Sequence, residues 1–206
     1  MRKIIKSKTL LIAVLVLIFT ADEGSAFLNM QFKNFNISVG LNTVKRDIIY
    51  PEVHGYSNTK LKNSFLIDMR FDFRTFKGLR FSPNAEWWSW GEFPKKGTTG
   101  VENSMSCINF NFDINKFLFR ERKFNPYIGT GIGLIFTFTE SEFPPEMFKD
   151  IPIVIGINEK NFRAGINLIS GFDYNINDNI TIFNEFRFEY ADNLNQMKFL
   201  VGISTF

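Results

Sequence analysis

Ten consecutive positions, Phe65 to Arg74, alternate between two chemistries. Phe65, Ile67, Met69, Phe71 and Phe73 are apolar, and between them stand Leu66, Asp68, Arg70, Asp72 and Arg74. A period of two is the period of a β-strand, so this stretch carries one apolar face and one charged face. Seven more segments repeat the pattern: Phe35–Val44, Leu79–Trp88, Cys107–Asn115, Pro126–Phe138, Phe162–Asp173, Ile180–Tyr190 and Met197–Thr205. The sequence therefore predicts eight strands.

Their connections differ in length. Thr75–Gly78, Arg120–Asn125, Asn175–Asp178 and Asn193–Gln196 are short, whereas Arg46–Lys62, Gly91–Asn103 and Glu140–Lys160 are long. An even number of strands, with short turns at one end and long loops mostly at the other, predicts an all-β fold. It is an eight-stranded antiparallel up-and-down transmembrane β-barrel, of the kind found in bacterial outer membranes.

A soluble barrel hides its apolar parity and a membrane barrel exposes it. The content of the polar parity decides between them. It collects Asp68, Asp72, Glu86, Asp113, Asp173, Glu185 and Glu189 with Arg70, Arg74, Arg80, Arg163, Arg187 and Lys198. A closed interior requires such near-balance, because unpaired buried charge is costly. Gly40, Gly129, Gly131, Gly133, Gly165, Gly171 and Gly202 share that parity and leave room in a narrow lumen. The opposite parity is almost pure Phe, Ile, Leu, Val and Met, which accounts for much of the chain's 26 Phe. Phe71, Phe110, Ile166 and Phe188 are expected to meet lipid near mid-membrane. Trp87, Trp88, Trp90, Tyr174 and Tyr190 are expected in the interfacial aromatic belts.

The chain opens with an export address. Arg2, Lys3, Lys6 and Lys8 precede ten apolar residues, Leu10 to Phe19, and Gly24-Ser25-Ala26 follows. This predicts a signal peptide over 1–26, cleaved after Ala26, and a barrel domain over 27–206. Ten residues of helix span only about 15 Å, too short for a bilayer. The signal holds four bases and two acids, so most of the formal charge of +3 belongs to it. The remainder gives no ground for a nucleic-acid partner.

Asn125-Pro126-Tyr127-Ile128-Gly129-Thr130-Gly131-Ile132-Gly133 resembles the Pro-Tyr-x-Gly-x-Gly-x-Gly strand of small outer-membrane barrels, the opacity-type and OmpA-type proteins. Ala164 to Tyr174, Asn177-Asp178-Asn179 and Phe186 to Tyr190 resemble their next hairpin. The resemblance covers about residues 34–206. It implies that the terminal Phe206 is a signal to the barrel-assembly machinery. One departure is plain: Ser204, Gly202 and Leu200 stand two, four and six places before Phe206, where the family usually keeps apolar residues.

Chemistry is sparse. Single copies of cysteine (Cys107) and histidine (His54) argue against a disulfide framework and against a zinc centre, so no metal and no cofactor are expected. Some small barrels modify lipid A, and their deacylases carry Ser two residues after His; here Tyr56 holds that place and Ser57 follows. His54 is therefore expected to be an exposed loop residue, and no catalytic residue is assigned. Cys107 is expected to be a buried, inert thiol. Phe143 to Phe148 and Ile151 to Ile155 make the third long loop apolar. The expected reading there is strand continuing above the membrane, with a partner-binding patch as the alternative.

The function these features point to is a structural or surface-interaction role with a lumen filled by side chains. The expected partners are outer-membrane lipid and lipopolysaccharide, the assembly machinery, and an unidentified surface ligand at the long loops. Two other readings stay open: a lipid A modifying acyltransferase or deacylase, and a secreted soluble calyx for a small apolar ligand.

Overall fold

The computed structural model describes residues 31–45, 47–48, 59–60, 63–74, 79–92, 102–119, 123–142 and 156–205. Eight strands close a barrel: β1 Gln31–Lys45, β2 Ser64–Arg74, β3 Leu79–Glu92, β4 Glu102–Phe117, β5 Phe124–Glu142, β6 Gly156–Asn175, β7 Ile180–Ala191 and β8 Asn195–Thr205. Each pairs antiparallel with its neighbours in the chain, and β1 completes the ring against β8. Asp47–Ile48 and Thr59–Lys60 form a separate small ladder inside the first long connection.

The register fixes the stagger. From Leu134 on β5, successive partners are Phe110, Ala85, Met69, Ile37, Ile203, Ile182 and Tyr174, and the path returns to β5 at Phe124, ten residues lower. Ten residues of stagger over eight strands tilt each strand by roughly 40°.

Local chemistry sets the turns. Asn177 Oδ1 accepts the backbone N–H groups of Asn179 and Ile180 at 2.9 and 2.8 Å, so its side chain closes the β6–β7 turn. Asn193 sits at φ 56°, a conformation that Asn tolerates, and there β7 reverses into β8.

Alternation decides the two faces. Along β2, Phe65, Ile67, Met69 and Phe71 are exposed, while Leu66, Asp68, Arg70 and Asp72 are buried. The same inversion runs round the ring, from Ile37, Val39 and Leu41 to Phe186, Phe199 and Ile203 on the outside. The polar parity therefore forms the core.

Strand lengths depart from expectation. β5 continues to Glu142 and β6 starts at Gly156, so both ends of the expected loop Glu140–Lys160 are paired strand, with Glu142 opposite Gly156. Beyond Phe138, Thr139 and Ser141 point inward and Glu140 points outward. Polar side chains on both faces keep the strand but erase its hydropathy contrast. Residues 143–155, which hold the apolar loop, lie outside the described residues. β4, β5 and β6 have 16, 19 and 20 residues against 11 in β2 and β8, and β6 pairs with β7 only from Gly165 downward. A wall of β-sheet thus rises at the long-loop end.

Candidate functional site

The lumen is built from the inward residues of all eight strands. Nine of them form an unbroken chain of alternating charge: Asp173, Arg80, Asp72, Arg70, Glu185, Arg187, Glu86, Lys198 and Glu189. It starts near the short-turn end. Arg80 Nη1 stands 2.7 Å from Asp173 Oδ2 and 3.6 Å from Asp72 Oδ2. Arg70 reaches Asp72 at 3.3 Å and Glu185 at 2.6 Å. Arg187 then gathers Glu185 at 2.6 Å, Asp113 at 3.0 Å and Glu86. Lys198 closes the chain by donating to Glu86 and to Glu189, the latter at 2.7 Å. Planar guanidinium groups suit such multiple carboxylate contacts better than ammonium groups do.

Neutral groups add further hydrogen bonds to the charge chain. Tyr127 Oη donates to Glu185 at 2.9 Å, Asn84 to Asp113 at 2.7 Å, and Asn167 to Asn111 at 3.0 Å. Arg70 lies 4.2 Å over the Phe183 ring, and Arg80 lies 4.2 Å over Tyr127. Two glycines show why small residues stand opposite. A Cβ on Gly133 would collide with the Glu189 carboxylate, and one on Gly171 would come within 2.6 Å of the Tyr127 ring.

An apolar plug sits at the other end of this network. Leu66, Trp88, Met105, Ile135, Leu194 and Leu200 are fully or almost fully buried and pack together with Trp90 and Cys107. Cys107 Sγ donates to Asn109 Oδ1 at 2.9 Å, which joins the plug to the polar network. At the short-turn end a cavity of about 290 Å³ opens among Lys33, Asp72, Arg74, Arg80, Phe117 and Asp173.

Several expected site residues stand elsewhere. Arg74, the last residue of β2, is exposed. Arg163 is half-buried and donates to Thr137 Oγ1 at 2.9 Å, above the level where β6 leaves β7. The four buried bases Arg70, Arg80, Arg187 and Lys198 therefore face six buried acids, with Asp173 at the rim. Asp68 accepts from Ser38 at 3.0 Å and has no ion pair among the described residues. Trp88 and Trp90 turn inward into the plug, at 0% and 7% exposure, instead of joining a belt. Their even parity matches that of Glu86, and only odd-numbered Trp87 on β3 faces out. Trp87, Tyr174 and Tyr190 are exposed on the outer face. Phe71 faces outward three residues from the lower end of β2. Phe110, Ile166 and Phe188 face out but stand higher, since Ile166 is the register partner of Tyr190. His54, Phe206 and the segment 1–26 lie outside the described residues.

No family model matches this sequence, and neither does any curated protein. Solved structures do share its fold. Neisserial surface protein A superimposes with a TM-score of 0.54 at 12% identity, over 85% of this chain and 98% of that one. Ail, the attachment invasion locus protein of Yersinia pestis, gives 0.51 at 11% identity, over 85% and 99%. A second Ail structure, in complex with the heparin analogue sucrose octasulfate, gives 0.51 at 11% identity, over 84% and 98%. The chain has the fold of small eight-stranded outer-membrane β-barrels.

Proposed function

We propose that this protein is an outer-membrane β-barrel with a structural or surface-interaction role, exported through a signal peptide over 1–26 that is cleaved after Ala26. One observation carries the reading: a ring of exposed Phe, Ile, Leu and Val surrounds a buried core of charge. In hydrocarbon that ring is in its own medium, and closing the sheet of described strands into a ring leaves no open sheet edge to meet lipid. The outer face meets membrane lipid and lipopolysaccharide.

The charge chain and the plug support a closed, structural lumen. The tall β4–β6 wall supports a surface role, because it extends the fold beyond a span of about ten tilted residues. The wall and the long loops offer the surface on which a ligand outside the cell is met. Phe206 serves the assembly machinery as its recognition residue.

Fractionation tests this reading. The chain is expressed in a Gram-negative host and its N-terminus is read by mass spectrometry. The expected product begins at Phe27, sits in the outer-membrane fraction and is cut by external protease within its long loops. A soluble periplasmic product, or one that retains residues 1–26, contradicts it.

A further inference from the structure

The outward face is mostly apolar, with polar residues such as Ser89, Ser106 and Lys116 towards the strand ends, and three more polar residues stand between those ends. Thr130 on β5, Ser170 on β6 and Asn184 on β7 all point outward. Asn184 stands at the centre of the β7 stripe, with Ile180 and Ile182 below it and Phe186 and Phe188 above. Ser170 pairs with Ile128 and Phe186, and Asn184 pairs with Phe172 and Val201. The three polar residues are thus diagonal neighbours on adjacent strands. With strands tilted by roughly 40°, this diagonal becomes a nearly level line round the barrel at mid-depth.

Thr130 satisfies itself by donating to the Asn167 carbonyl at 2.8 Å. Ser170 and Asn184 have no side-chain hydrogen bond among the described residues. Lipid tails offer neither donor nor acceptor, so a primary amide at that depth is costly unless another protein supplies the partner.

We infer that this row is the contact line with a second copy of the chain. Two copies inserted in the same direction are related by a two-fold axis along the membrane normal. Each residue then meets one at its own depth, and the row is level. An axis between β6 and β7 brings Ser170 of each copy to Asn184 of the other. The amide and the hydroxyl each donate and accept, so the two contacts are reciprocal. Phe172 and Phe186 flank the polar pair and pack around it. The inference rests on the membrane placement of this face, which quenching at Phe71 tests separately.

The experiment uses full-length chains carrying Cys107→Ser in phospholipid vesicles. Chains with Ser170→Cys and chains with Asn184→Cys are mixed and oxidised with iodine. The expected product is a covalent dimer joining the two variants, more abundant than either self-pair. Ala85→Cys, on β3 across the barrel, is expected to give none. Energy transfer between labelled copies supplies a second readout, in which Asn184→Leu is expected to weaken association roughly tenfold. A monomer at every protein-to-lipid ratio overturns the inference. So does cross-linking at Ala85 equal to that of the mixture, or association unchanged by Asn184→Leu. A loss of quenching at Phe71 overturns the membrane placement instead.

Discussion

Nη1 of Arg70 lies 2.6 Å from Oε2 of Glu185, and this ion pair ties β2 to β7 across the lumen. The two strands are not neighbours in the sheet: β1 and β8 lie between them. Both side chains are almost fully excluded from solvent. The pair therefore braces the ring from within, and each partner depends on the other for compensation.

Replacing Arg70 with Met leaves Glu185 and Asp72 short of a counter-charge. The expected cost is about 3–5 kcal/mol, measured by urea unfolding in lipid vesicles. Among the described residues Arg163→Met removes a single bond, to Thr137, from a half-buried side chain, and under about 1 kcal/mol is expected. Equal effects of the two changes would contradict the pairing.

A bulkier residue at Gly133 must displace the Glu189 carboxylate and the Asn111 amide from the lumen network, because its Cβ would meet both. Gly133→Val is expected to cost roughly 1–3 kcal/mol or more in the same assay. Ala164→Val, outward on the adjacent strand and level with Leu134, is expected to be close to neutral.

The plug makes its own prediction. Trp88→Ala opens a cavity in a fully buried cluster, and about 3–5 kcal/mol should be lost. Single-tryptophan variants separate the three indoles by location. Brominated lipid is expected to quench Trp87 strongly and Trp88 and Trp90 weakly.

How much of this was legible in the sequence depends on what a period of two can encode. It encodes which face a side chain takes, so the strands, the ring and the inward Arg70, Glu86, Glu185 and Arg187 follow from it. It does not encode height along the barrel. Arg74 and Arg163 share the inward parity, yet one ends its strand and the other lies where β6 has left its neighbour. Leu66, Met105, Ile135 and Leu200 interrupt the polar parity one strand at a time, each looking like noise. Only their convergence at one level makes them a plug. Asn184 and Ser170 interrupt the apolar parity in the same way. Their depth becomes visible once the register and tilt are known.

Charge on the outer face should be penalised by depth. Phe71→Arg, at a site expected near mid-membrane, should cost about 2–4 kcal/mol, and Tyr190→Arg, at the upper rim, about 0–1 kcal/mol. Unfolding in vesicles measures both. The reverse order would place the membrane elsewhere on the barrel.

Depth-resolved quenching addresses the inverted barrel itself. In a background with the native tryptophans changed to Phe, Ile37, Phe71 and Ile114 are replaced singly by Trp. They are outward residues on β1, β2 and β4. Each chain is folded into vesicles whose lipids carry bromine at successive acyl positions. The expected result is strongest quenching by bromines near the acyl chain ends at all three sites, with no quenching by aqueous iodide. Quenching by iodide, with bromolipids silent, would mean that the apolar face does not meet lipid, and would contradict the membrane barrel.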